Sequence, residues 1–241
     1  MRQNRLFYAM IASVFITAGC GSKSGNYEPQ PVKPVSTAAV KPGEEASLFP
    51  LKEGNQWTYS VESMTRIGNQ TGTGRTEMVF KVLKVVPTGD GVVASIEVKT
   101  TTPNAKPDIQ SWEVNKRGIF QRSVGNPPVP FSPMQPVMVF PLDPGRKFSW
   151  KGTGITAGGK PGTSTVNSTI LPIQEVDGDS GRYSAVGVES RGTFAIGTAK
   201  GQMASLAYWS HGTGLVRYRH EVAFENRTEM LTLKLKTKSV R

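Results

Sequence analysis

The chain has 241 residues, 37% of them hydrophobic, with 29 Lys and Arg against 18 Asp and Glu. That length supports a sizeable core, and that balance excludes both wholesale disorder and a polytopic membrane protein. A single cysteine excludes an intrachain disulfide, a thiolate zinc site and Cys-X-X-Cys redox chemistry.

Residues 1–19 predict a lipoprotein signal peptide. Arg2 and Arg5 form a basic start, Leu6 to Ile16 an apolar stretch, and Thr17, Ala18 and Gly19 a small-residue run before Cys20. The apolar stretch is too short to span a bilayer. The pattern matches a bacterial lipobox, apart from Thr17 where a larger aliphatic residue is usual. It predicts cleavage between Gly19 and Cys20 and lipid attachment at Cys20. Each buried methylene of such a lipid contributes about 0.8 kcal/mol, so two or three chains anchor a protein to a membrane stably. Gly21 rather than Asp follows the cysteine. In a bacterium with two membranes this resembles lipoproteins forwarded to the outer membrane, where the protein would face the periplasm.

Residues 20–47 predict a lipid-anchored flexible tether. Pro29, Pro31, Pro34 and Pro42 interrupt any helix or ladder, and no apolar period is present. A coil of roughly 27 residues reaches on the order of 30 Å, which holds the globular part away from the membrane surface.

Residues 48–241 predict one antiparallel β domain. From Leu48 onward Val outnumbers Leu by 20 to 10, a bias toward side chains that suit a pleated surface. Val92, Ala94, Ile96 and Val98 alternate with polar residues, as do Val216, Tyr218, Val222 and Phe224, and then Leu231, Leu233 and Leu235. Turn-forming clusters separate these runs: Thr88 to Gly91, Asn115 to Gly118, Gly158 to Pro161 and Asp177 to Gly181. The expectation is a meander of roughly ten strands forming a half-barrel, barrel or sandwich.

The segment Phe49 to Tyr59 echoes Phe140 to Trp150: each has Phe-Pro-Leu, a glycine three residues later, then a strand with aromatics. This is either a repeat of two halves or one local device used twice. Together with Tyr208 to Tyr218, the first copy resembles the PLxxGxxWxY and YWxxxGxGLVR signatures of an uncharacterised family of bacterial envelope lipoproteins. By architecture such proteins are similar to the LolA/LolB lipoprotein carriers and the RseB sensor. The resemblance implies a half-barrel whose concave face accepts acyl chains.

Several residues suggest chemistry that their context opposes. Gly178-Asp179-Ser180-Gly181 copies the nucleophile signature of trypsin-like proteases, but His211 and His220 both follow the serine, and the run reads as a hairpin turn. Asp177 and Asp179 lack the further oxygen ligands of a calcium loop. Gly154 to Lys160 has the spacing of a phosphate loop, but Pro161 stands where a Ser or Thr would hold magnesium, and no helix pattern comes after it. His220 alternates onto an apolar face as a core histidine or a base in a pocket, and His211 sits in an exposed turn. No catalytic residue, metal site or cofactor is assigned.

Removing Arg2 and Arg5 with the signal leaves 27 minus 18, a net charge of +9. Arg217, Arg219, Arg227, Lys234, Lys236, Lys238 and Arg241 concentrate that charge near the C-terminus, as attraction to anionic lipid or as protection of an edge strand. The compartment argues against nucleic acid. Trp57, Tyr59, Trp112, Trp150, Tyr208, Trp209 and His220 are the expected ligand-face residues. The function expected is a non-catalytic envelope module that binds an apolar or lipid ligand or an envelope partner. A structural module that binds envelope proteins without a small ligand is the alternative, and an envelope hydrolase is the third reading.

Overall fold

Strands whose side chains alternate apolar and polar must bury one face and wet the other, and this chain does both by curling one sheet into a ring. The structure, a computed structural model, describes residues 34–35, 43–102 and 105–240. The expected signal peptide, Cys20 and most of the expected tether lie outside the described residues.

A two-residue strand β1 (Pro34–Val35) and a 3-10 turn η1 (Glu45–Leu48) precede twelve longer strands. These are β2 (Gln56–Ile67), β3 (Gln70–Pro87), β4 (Gly91–Thr100), β5 (Asp108–Asn115), β6 (Gly118–Val124) and β7 (Val129–Val139). They continue as β8 (Lys147–Ile155), β9 (Pro161–Gly178), β10 (Gly181–Ile196), β11 (Ala199–Ser210), β12 (Gly214–Phe224) and β13 (Arg227–Ser239). Each pairs antiparallel with its sequence neighbour, and β13 pairs back onto β2 from Arg227↔Ile67 to Ser239↔Gln56. The fold is therefore a closed barrel of twelve strands rather than the open half-barrel that the resemblance implied. β7 is harder to read from sequence than its neighbours, because Pro130, Pro133 and Pro136 interrupt it.

Inward positions carry the core: Trp57, Tyr59 and Val61 on β2, Phe80 and Val82 on β3, Ala94 and Ile96 on β4, and Leu231, Leu233 and Leu235 on β13 are buried. Burying one such aliphatic or aromatic side chain contributes about 1.5–3 kcal/mol. The intervening Thr58, Ser60, Thr232, Lys234 and Lys236 face outward. Polar-out and apolar-in is the reverse of a lipid-spanning barrel. Lys234, Lys236 and Lys238 do not guard an edge, since β13 is paired on both sides. Lys236 pairs with Glu77, and Lys238 donates to Thr213 Oγ1 at 2.7 Å.

The echoed segments build the same turn twice. Gly54 and Gly145 have φ of 84° and 85°, a region that favours glycine. Gly54 N–H donates to Val82 O, and Val82 N–H returns to Asn55 O; likewise Gly145 N–H donates to Ile170 O, and Ile170 N–H returns to Arg146 O. The match continues through the ring. Register breaks fall between β3 and β4 and between β9 and β10, then at Trp112 between β5 and β6 and at Trp209 between β11 and β12. The barrel thus divides into two six-stranded halves, β2–β7 and β8–β13, that match from β2 to β6 and from β8 to β12, which favours reading the echo as a structural repeat; β6 and β7 then break register twice, whereas β12 and β13 do not.

The two junctions between halves differ. β13 and β2 are zipped over their length, whereas β7 and β8 share one ladder pair, Ser132↔Thr153. Proline has no N–H to donate, and β7 carries three prolines in eleven residues. The result is a seam in the wall.

One end of the barrel is plugged. Leu48 and Phe49 are buried there, and the Phe49 ring lies 5.6, 5.3 and 5.2 Å from those of Trp57, Trp112 and Trp209. Gly212 N–H donates to Ser47 O, fixing η1 to the β11–β12 turn. These contacts lie within or beside the stretch whose composition read as tether, so the ordered part begins before residue 48.

Gly118, at the β5–β6 turn, has φ of 154°, and a Cβ there would stand 2.1 Å from Met138 O. Gly118→Ala is expected to destabilise the barrel by about 2–4 kcal/mol, since strain and a backbone clash act together. A urea midpoint equal to that of the parent would contradict this.

Candidate functional site

Above the Phe49 plug the side chains do not fill the barrel. They leave a cavity of about 100 Å³, against about 10–15 Å³ needed for one water. Trp112, Trp209, Tyr218 and Leu215 stand near the plug. Gln110, Gln121, Ser190, Ser205 and His220 ring the middle, and Phe131, Trp150, Ile155, Val166 and Met203 form an apolar collar toward the opposite end. Ala157, in the turn between β8 and β9, carries the lining to that end. β7 and β8 both contribute, so the seam borders the cavity.

The strand period explains the composition. A small or polar residue at an inward position leaves room that a leucine would occupy, and β9, β10 and β11 place Ser164, Ser168, Ser190 and Ser205 there. Ser168 and Ser190 hydrogen-bond each other at 2.8 Å. Gln110 Oε1 accepts from Trp112 Nε1 at 3.0 Å and from Gln121 Nε2 at 3.4 Å. No Asp, Glu, Lys or Arg lines the cavity among the described residues.

Three of the four tryptophans have an acceptor for the indole N–H. Trp57 donates to Thr213 O, Trp112 to Gln110 and Trp150 to Pro133 O. Trp209 Nε1 is buried with no hydrogen-bond partner, and so is His220 Nδ1. The His220 ring stacks on Tyr218 with centroids 5.8 Å apart, and Ser205 lies opposite it across the ladder.

Burial pushes His220 down from 6.5 to about 4, so it is neutral at neutral pH. Because the folded value lies below the unfolded one, the unfolded chain takes up the proton first. Stability is then full above the unfolded value of 6.5 and is lost as pH falls toward about 4. Burial raises Asp108 from 3.8 to about 6, which works in the opposite direction: its penalty at neutral pH is relieved as pH falls through that window. His220→Phe is therefore expected to gain stability on acidification from pH ~6.5 to ~4.5, while the parent does not. Urea midpoints at the two pH values check this; parallel behaviour of both proteins would contradict it.

Of the residues expected on a ligand face, Trp112, Trp150, Trp209 and His220 line one cavity together. Trp57 and Tyr59 do not line it: they are buried in the packed core beside the plug, with Tyr59 Oη donating to Leu215 O at 3.0 Å. Tyr208 points outward, as the neighbour of an inward Trp209 must, and its hydroxyl accepts from Gln174 Nε2 at 3.2 Å. Cys20 and Gly19 lie outside the described residues. The serines and glutamines of the middle ring carried no motif, and only their inward place in the strand period could have marked them.

The residues that imitated catalytic motifs are engaged as turns. Asp179 and Ser180 form the β9–β10 hairpin, Asp177 is held by Arg182 at 3.0 Å, and Asp179 accepts from Ser60. Gly154 to Lys160 closes the β8–β9 hairpin, with Thr156 N–H donating to Lys160 O. His211 lies 3.5 Å from Glu44 beside the plug, away from the cavity.

Fold and site together define a closed, water-facing β-barrel with an uncharged internal cavity. No family model and no curated protein matches the chain. Two crystal structures are similar to it: a "putative lipoprotein" from Parabacteroides distasonis ATCC 8503, with TM-score 0.49 and 13% identity, and a "putative exported protein with YmcC-like fold" from Bacteroides fragilis NCTC 9343, with TM-score 0.48 and 11% identity. Each alignment covers 78% of this chain and 98% of the other.

Proposed function

We propose that the protein is an envelope lipoprotein, anchored through acylated Cys20, whose barrel is a non-catalytic binding module for an apolar ligand. The observation that carries this reading is the cavity itself. Side chains just fill a barrel of about eight strands, whereas this ring has twelve, and Ser and Gln occupy inward positions beneath an apolar collar.

A hydrolytic reading has less support. Among the described residues no carboxylate lines the cavity to orient His220, whose Nδ1 has no partner, whereas nucleophilic catalysis by serine needs a positioned base. A partner that adds a strand to an open edge has little purchase, because ring closure pairs the twelve strands, and β7–β8 is the thin place.

The test uses the chain from residue 20 onward with Cys20→Ser, which keeps all the described elements. N-phenyl-1-naphthylamine, an uncharged apolar fluorophore, is expected to bind saturably, one per chain. A linear, non-saturating response would overturn the binding reading. Loss of labelled palmitate from the full-length Cys20→Ser variant in cells, with retention in the parent, is the expected result for the anchor.

A further inference from the structure

We propose that the cavity selects an uncharged amphiphile, a hydroxy-ester lipid of the acylglycerol class, whose carbonyl accepts from Trp209 Nε1 and whose hydroxyl pairs with His220 Nδ1. This rests on the binding reading above and narrows it to a ligand class.

Two facts on the cavity wall point this way. The first is the pair of unmet polar atoms. Trp209 and His220 are 3% and 7% exposed, both line the cavity, and neither buried nitrogen has a hydrogen-bond partner. Buried polar groups are ordinarily paired, because an unmade hydrogen bond costs the full desolvation of the group. The other three tryptophans follow that rule. An indole N–H needs an acceptor, while a neutral imidazole can give or take one proton at each nitrogen, so a hydroxyl suits it in either tautomer.

The second fact is the lack of any ionisable partner for a charge. The lining offers hydroxyls, amides, one imidazole and aromatic rings, with no Lys, Arg, Asp or Glu among the described residues. An ion moved into such surroundings loses its hydration and gains no counter-charge. A fatty carboxylate or a phosphate head is therefore disfavoured, whereas the collar of Phe131, Trp150, Ile155, Val166 and Met203 presents apolar surface to the chain of a neutral lipid.

The test is competition. The chain from residue 20 onward with Cys20→Ser, loaded with N-phenyl-1-naphthylamine, is titrated with 1-oleoylglycerol and with oleate, both below their aggregation thresholds and at mildly alkaline pH. The two probes share one acyl chain and differ in the charge of the head. The expected result is displacement by 1-oleoylglycerol at a concentration about tenfold or more below that of oleate. Trp209→Phe and His220→Phe keep an aromatic ring and remove the polar atom, and each is expected to shrink that ratio about threefold or more, the ratio being taken within each variant so that a change in its affinity for the fluorophore cancels. Equal displacement by the two lipids in the parent would overturn the inference and leave the apolar-binding reading standing. So would an unchanged ratio in both variants, which would assign the two nitrogens to water. If the fluorophore fails to bind the parent, the binding reading falls and this inference with it. Should a variant fail to fold, the parent's ratio decides alone.

Discussion

Phe49→Ala is expected to lower the stability of the barrel by about 3–5 kcal/mol, the cost of truncating a fully enclosed phenylalanine. The ring is 3% exposed and makes edge or tilted contacts with Trp57, Trp112 and Trp209, three residues drawn from β2, β5 and β11. Those strands come from both halves of the barrel, so Phe49 ties the halves together at the plugged end. Its neighbours are held from outside the contact, Trp57 by Thr213 O and Trp112 by Gln110, and cannot collapse freely into the space left behind. The cavity term should therefore be near the top of the range. Urea unfolding reads the effect. A loss below about 1 kcal/mol would mean that the plug is dispensable, and that η1 merely rests on the barrel.

The second large effect is expected at the seam. Ser132 and Thr153 are directly opposed and both point outward. Opposed residues of antiparallel strands have Cα atoms about 4.5–5.5 Å apart, within disulfide range. In a Cys20→Ser background, Ser132→Cys with Thr153→Cys should form a bond that fastens β7 to β8. Exchange of N-phenyl-1-naphthylamine is then expected to stop on oxidation and to return with dithiothreitol. The reason is local: among the described residues this is the one junction of the ring held by a single ladder pair, and residues from both of its strands face the cavity. Equally fast exchange in the oxidised and reduced forms would move the entrance to the rim at Ile155 and Ala157.

Much of the fold was legible because its signals are local. The alternation of Val92 to Val98 and of Leu231 to Leu235 predicts half-buried strands, and both segments have the inward faces expected. Closure was not legible, because the pairing of β13 with β2 joins residues 160 or more positions apart and leaves no mark on either segment. The same long-range fact turned the lysines of β13 from edge protection into an ordinary wet face. The echo of Phe49 to Tyr59 in Phe140 to Trp150 carried more information than composition could decide. Its turn hydrogen bonds recur, and its register breaks recur through the first five strands of each half.

The site was half legible. Aromatic residues beside strand signals pointed to Trp112, Trp150 and Trp209, and parity within β12 placed His220 inside. Parity also excludes Tyr208, which adjoins Trp209 on β11. That Trp57 and Tyr59 belong to packed core depended on the plug formed by Phe49, a contact across the barrel. The absence of charge from the lining is a property of the ring as a whole, visible once the register of the strands that form it is fixed.

Native mass spectrometry shows whether the interior of the barrel holds a ligand. The chain from residue 20 onward with Cys20→Ser would be exported to a bacterial periplasm and purified without detergent. A bound mass is expected that dissociates on activation and proves on extraction to be a neutral lipid. A homogeneous ligand-free mass that persists after incubation with 1-oleoylglycerol would contradict it.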